Sequence, residues 1–252
     1  MILLVSGEGP MDIGASASAE VPVASADVKW GAMGRMIDCI TESEWGFSPA
    51  DSGSMLFLSE SELGRLTRDI RGGFALPDRD RGQETAIFFK NARAIARLAK
   101  QIWQSGKTPV GAVLFRDADG TNSDDRSLRD DKVNSMRRGF LAEAYEYGVP
   151  MVPQPKSEAW LICALQTQPY QNCARFEKIS GNDRSPNSAK KQLAAIQKAH
   201  PRGADDLADL VVEGVVDVQR IDMPSFNEFR ERMTEVARTM LSGPAEPGQT
   251  RP

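Results

Sequence analysis

Five carboxylates fall just beyond apolar runs of this 252-residue chain. Glu8 and Asp12 follow residues 2–5, Asp117 and Asp119 follow residues 109–115, and Glu158 follows residues 148–153. If those runs are parallel strands of one sheet, their carboxyl ends meet at a common edge. Like charges gathered there repel, and each carboxyl pKa rises unless a cation sits among them. Hard oxygen ligands select magnesium, manganese or calcium over zinc. Asp117 and Asp119 lie two apart on an extended segment and so share a face. Taken singly, each element has an ordinary explanation. Gly7-Glu8-Gly9 reads equally as a glycine turn, and the aspartate pair as a turn with Asx-type hydrogen bonds. Glu158 reads as a first-turn residue favoured by the helix dipole. Asp124, Asp125, Asp130 and Asp131 read as a solvated loop and a helix cap. Joint placement at strand ends is what points to metal chemistry.

Other chemistries are poorly served. The only histidine, His200, sits at an expected helix end, where a cationic or capping role suits it. Serine and cysteine hydrolases normally need a histidine base. Cys39, Cys163 and Cys173 form no CxxC pair and read as buried, inert thiols. No Walker-type phosphate loop is present. The formal net charge of -4 disfavours a free-standing, tight nucleic-acid binder, so any grip on DNA is local or comes from a partner. The first five residues lack the length and basic prefix of a signal peptide, and no apolar stretch reaches membrane-helix length; the expected location is cytoplasmic, with no membrane contact.

The elements that must position these residues alternate. Residues 2–5 read as a buried strand closed by glycines, followed by an Ala/Ser-rich loop to about residue 26. Asp27 is the expected N-cap of a helix to about residue 41, carrying Val28, Met33, Met36, Ile37 and Ile40 at helical spacing. Residues 55–58 are apolar, and whether strand then helix follows to residue 71 stays open. Residues 83–104 predict a helix with an apolar stripe including Ile87, Phe88, Ile95 and Trp103, stopped by Ser105-Gly106. Residues 109–115 read as a central parallel strand. A helix over 131–147, a strand over 148–153 and a helix over 156–165 complete a parallel sheet covered by helices. Beyond residue 166, a turn-rich stretch leads to helices over 189–199, 205–218 and 225–241, with Val211-Val212 and Val215-Val216 also compatible with strand. The Gly/Pro-rich end, 243–252, reads as disordered.

An apolar strand followed by Gly7-Glu8-Gly9, then a second strand ending Asp117-Ala118-Asp119-Gly120, resembles the Toprim fold of topoisomerases, primases and overcoming-lysogenization-defect nucleases. With Met11-Asp12 and Pro153-Gln154-Pro155-Lys156-Ser157-Glu158-Ala159-Trp160-Leu161, the chain more nearly resembles small Toprim-like (DUF4276-like) proteins of bacterial defence loci, over about residues 1–165. The resemblance implies a Toprim-like (Rossmann-like) α/β domain with an insertion at about 42–82, and a C-terminal helical extension over 166–242. It implies Glu8 as general acid/base or metal ligand, and Asp12, Asp117, Asp119 and Glu158 in the shell of Mg2+ or Mn2+. Lys190 and Lys191 are candidates for holding the scissile phosphate, and Lys156 and Arg116 for binding substrate; each lysine also reads as a solvated helix face. The expected activity is metal-dependent cleavage of nucleic acid, DNA before RNA, beside an ATPase or sensor partner, with a homo-oligomer possible. The long interval between Glu8 and Asp117 departs from topoisomerase and primase patterns. Alternatives are a non-catalytic platform of the same shape, and a metal-dependent phosphatase or phosphotransferase.

Overall fold

The computed structural model describes residues 1–70, 82–118, 126–199 and 207–243. In chain order, β1 (Ile2–Gly7) leads through a π-helical turn (Gly9–Ile13) to β2 (Gly14–Ala15), β3 (Val23–Ala24) and β4 (Lys29–Trp30). Then come α1 (Ala32–Trp45), β5 (Met55–Leu58), α2 (Glu60–Arg68), α3 (Gly82–Gly106), β6 (Val110–Phe115), α4 (Arg126–Ala142) and β7 (Gly148–Met151). The helices α5 (Ser157–Leu165), α6 (Ala189–Ala199), α7 (Leu207–Val212) and α8 (Pro224–Leu241) follow.

The main sheet runs β3-β5-β1-β6-β7, with β5, β1, β6 and β7 parallel and β3 antiparallel at one edge. The protein is thus α/β with a mostly parallel sheet flanked by helices. β6 is buried along its whole length, which explains its unbroken apolar sequence. Successive strand residues face opposite sides. Gly111 faces Val236 and Met240 of α8, whereas Gly148, paired with the next residue of β6, faces Phe140 of α4. α8 with α1 therefore covers one side, and α3 with α4 the other. The last helix is a structural layer of the sheet. Likewise the segment 42–82 supplies β5, which pairs directly with β1.

Several boundaries differ from expectation. α1 starts at Ala32, not near Asp27, because Lys29–Trp30 pairs with Gly14–Ala15 and Gly31 N–H donates to Ile13 O. Within the expected loop to residue 26, Val23–Ala24 pairs with β5. Residues 55–68 are strand then helix. α4 ends at Ala142 rather than at Tyr147. Ala144 takes a left-handed φ of 47°, and Tyr145 N–H and Ala144 N–H return to Phe140 O and Leu141 O. That closure normally announces itself with glycine, and here nothing in the sequence flags it. α7 stops at Val212, before the left-handed Gly214 (φ 73°), so residues 215–216 are neither helix nor strand. Ile87, expected in the apolar stripe of α3, is 57% exposed. Cys163 and Cys173 are joined in a disulfide tying α5 to a 3-10 turn at Cys173–Lys178. The inert-thiol reading holds only for Cys39, whose thiol burial pushes up to about 11. His200 and the 244–252 tail lie outside the described residues.

Among the described residues, no helix is long and apolar enough to cross a membrane. β7 ends the sheet, and carbonyls at its start and on either flank are capped by arginines. Arg232 donates to Gly148 O at 3.1 Å and to Glu146 O, and Arg129 donates to Val152 O at 2.8 Å. Capping of this kind blocks edge-to-edge pairing.

Candidate functional site

The parallel order places a switch point between β1 and β6. From β1 the chain moves outward to β5, then crosses back to β6 on the other side. Crevices at such points, beyond the carboxyl ends of the strands, are where open α/β sheets bind ligands. Gly7 and Phe115 are the last paired residues of β1 and β6, so the residues after them emerge side by side.

Glu8 lies at the centre of this edge. Its Oε1 accepts the Asp117 main-chain N–H at 2.7 Å, and its Oε2 lies 3.3 Å from Arg116 Nη1. The same Arg116 atom donates to Glu60 Oε1, at 2.8 Å, in the first turn of α2. Arg116 is 6% exposed. Expected to bind substrate, it is here engaged by two carboxylates, Glu8 and Glu60.

Asp12 is delivered by the π-helical turn. Gly9 takes a φ of 79°, and a Cβ there would lie 2.5 Å from Asp12 Oδ2, so only glycine suits this turn. Ser157 joins two acids at once: its N–H donates to Asp117 Oδ1 at 3.0 Å and its hydroxyl to Asp12 Oδ1 at 2.5 Å. Ser157 opens α5, which Trp160 anchors to α8. That indole stacks at 5.8 Å on Phe229, meets Phe226 edge-on at 4.9 Å, and donates to Ser225 Oγ. Lys132, 6% exposed, secures the strand exit by donating to Ala118 O at 2.5 Å.

Glu158 sits in the first turn of α5, and its Oε2 is buried without a hydrogen-bond partner. Burial pushes its carboxyl above the ordinary range; the Asp12 and Asp183 charges push the same way, against a backbone hydrogen bond and Lys156. Burial also raises the Asp12 carboxyl, opposed by the Ser157 hydroxyl, Lys156 and Lys190. Lys156 pairs with Asp183 at 3.2 Å, and Lys190 lies 4.0 Å from the same carboxylate. Lys191 points elsewhere, donating to Arg184 O and Ser185 O at 3.3 and 3.0 Å.

The structure thus gathers Glu8, Asp12, Asp117, Glu158, Lys156 and Lys190 at one edge and assigns Lys191 to bracing a loop. Asp119 lies outside the described residues. Ser157, Lys132, Glu60 and Asp183 were not singled out from the sequence. Ser157 stands inside the quoted Lys156-Ser157-Glu158 motif, but nothing local reveals that it bridges Asp12 and Asp117.

The donors suit a hard divalent cation in kind, since all are carboxylate oxygens and Glu158 Oε2 is an orphan. They are not closed upon one point. Glu8, Asp12 and Asp117 each accept a bond from the protein, and among the described residues no three His, Cys, Asp or Glu side chains are grouped to hold an ion. Comparison with known protein families, curated proteins and solved structures finds no match. Fold and site together define the class: an α/β protein, mostly parallel in its sheet, with an acidic cluster at the switch-point edge.

Proposed function

We propose that this chain is a divalent-metal-dependent nuclease with a Toprim-like domain, hydrolysing phosphodiester bonds of DNA or RNA. The observation that carries the reading is the hydrogen bond from the Asp117 main-chain N–H to Glu8, which joins the ends of the first and third parallel strands at the residues that carry the acids. Mg2+ or Mn2+ would be the cofactor; Asp12, Asp117 and Glu158 would have to swing onto it, the first two from their present partners, with Asp119, outside the described residues, as a further candidate from the sequence. When bound, such an ion lowers the pKa of water and stabilises a departing oxygen.

The chain's own residues supply the rest. Arg116 lies against Glu8 Oε2 and holds the side chain at the edge, where Glu8 would take the proton lost by attacking water. Lys156 and Lys190 offer positive charge to a phosphate beside the acids. A net charge of -4 makes the grip on a polyanion weak overall, which fits an effector recruited by an ATPase or sensor partner in antiphage defence.

The test is cleavage of labelled DNA, RNA and small phosphate esters in Mg2+ or Mn2+ against EDTA, with and without an ATPase partner. Glu8→Gln and Asp117→Asn abolish cleavage while the folded signal is kept. Full cleavage by the double variant overturns the reading, and turnover of small esters alone replaces it with a phosphatase. A second reading, a non-catalytic platform, is favoured by the separate engagement of the three carboxylates. It requires that no metal produce cleavage of any substrate.

A further inference from the structure

We propose that Asp183 is an internal stand-in for phosphate, occupying an anion subsite built by Lys156 and Lys190 from which a nucleic-acid backbone phosphate displaces it. One ammonium addresses each carboxylate oxygen: Lys156 Nζ lies 3.2 Å from Oδ1 and Lys190 Nζ 4.0 Å from Oδ2. Two non-bridging phosphate oxygens present the same pair of acceptors with greater acceptor capacity. The Lys156 side chain is only 17% exposed, so its position is set by packing, whereas Lys190 at 68% is free to adjust.

The loop carrying Asp183 is braced independently of this carboxylate. Ser180 bridges to Ser188, Ala189 N–H donates to Ser180 O at 3.1 Å, and Arg184 N–H donates to Asn182 Oδ1 at 3.0 Å. Lys191 holds the loop carbonyls of Arg184 and Ser185 from α6. Losing the Asp183 contacts therefore leaves the loop in place. At 48% exposure the Asp183 side chain is open to solvent, and an ion pair in that setting is weakly held. The subsite also adjoins the acidic cluster, because both lysines act electrostatically on Asp12. A phosphate seated between them is adjacent to the carboxylates assigned to the metal. In a chain of net charge -4, the resident carboxylate offsets one of the two lysine charges until a polyanion arrives.

Only the identification of the phosphate as nucleic-acid backbone rests on the nuclease reading. The experiment is fluorescence anisotropy of the full chain with a short fluorescein-labelled single-stranded DNA in EDTA, so that binding is scored without cleavage. Asp183→Asn binds on the order of fivefold more tightly than wild type, as expected for removing a competing surface carboxylate. Adding Lys190→Ala to Asp183→Asn abolishes that gain and lowers the slope of log affinity against log salt by about one. Inorganic phosphate competes better against wild type than against Lys190→Ala. The subsite is refuted if Asp183→Asn binds no more tightly, or if its gain survives Lys190→Ala. Tightened binding without cleavage under any metal keeps the subsite and removes the nuclease. Cleavage with unaltered binding does the reverse.

Discussion

The main-chain N–H of Asp117 donates to Glu8 Oε1 at 2.7 Å across a sequence separation of 109 residues. The contact is possible because β1 and β6 are paired up to Gly7 and Phe115, so that both strands release their next residues at the same height. Glu8 thereby serves the fold as well as the proposed chemistry, and substitutions separate the two. Glu8→Gln retains an acceptor for the Asp117 N–H. Glu8→Ala leaves that N–H unpaired and costs about 1–3 kcal/mol of stability. Urea unfolding is expected to rank wild type and Glu8→Gln together above Glu8→Ala, with cleavage lost in both variants. Equal stability of all three would show that the contact is not formed.

Ser157→Ala removes the hydroxyl bond to Asp12 but keeps the main-chain bond to Asp117. Mn2+ bound only by the native state raises the melting temperature. Loss of a hydrogen bond that orients a ligand typically weakens metal affinity about 10–100-fold. A Mn2+ titration followed by thermal unfolding is therefore expected to show the shift in wild type, and in Ser157→Ala only at higher metal concentrations. Coincident titrations would mean that Ser157 positions nothing.

Gly31 packs its backbone against the turn that delivers Asp12. A Cβ at this position would lie 2.3 Å from Met11 O and 2.4 Å from Asp12 O, both rigid main-chain atoms. Gly31→Ala must push the turn away from α1, and overpacking of this kind costs about 1–3 kcal/mol. Calorimetry is expected to show a lower melting temperature, with Mn2+ affinity reduced together with it. Gly46→Ala is the control: nothing lies within 4 Å of a Cβ there, although its φ of 77° adds local strain. It is expected to leave metal affinity unchanged.

Glu143, just past the end of α4, is tied to α3 through Arg93 at 2.6 Å and Arg97 at 3.0 Å. Burial pushes its carboxyl up, but the two guanidinium groups outweigh that and hold it below the ordinary value of 4.5. A depressed carboxyl binds its proton more readily in the unfolded chain. Its stabilisation is therefore complete above that ordinary value and fades as pH falls through the depressed one. The wild type is expected to exceed Glu143→Gln by on the order of 1–3 kcal/mol at neutral pH, as for charge-assisted hydrogen bonds between largely buried side chains. Denaturant unfolding of the two at falling pH should converge in the acid range. A constant gap would exclude the ion pair as its cause.

Much of the fold was legible in local pattern. β6 declared itself by an apolar run buried on both faces, and α6 was bounded correctly at 189–199. The positions of Glu8, Asp12, Asp117 and Glu158 after strands were enough to expect a common edge. Burial and backbone periodicity leave such marks because they act on neighbours in sequence. Pairings between distant segments leave none. Which strand lies beside β1, that Ser157 bridges Asp12 and Asp117, and that Arg116 serves Glu8 and Glu60 were settled only when register and helix packing brought those groups within hydrogen-bond reach. The same holds for the Cys163–Cys173 link and for the early close of α4. Composition specifies which groups seek partners; three-dimensional packing chooses among the partners available, because a hydrogen bond or ion pair depends on ångström-scale distance rather than on order along the chain.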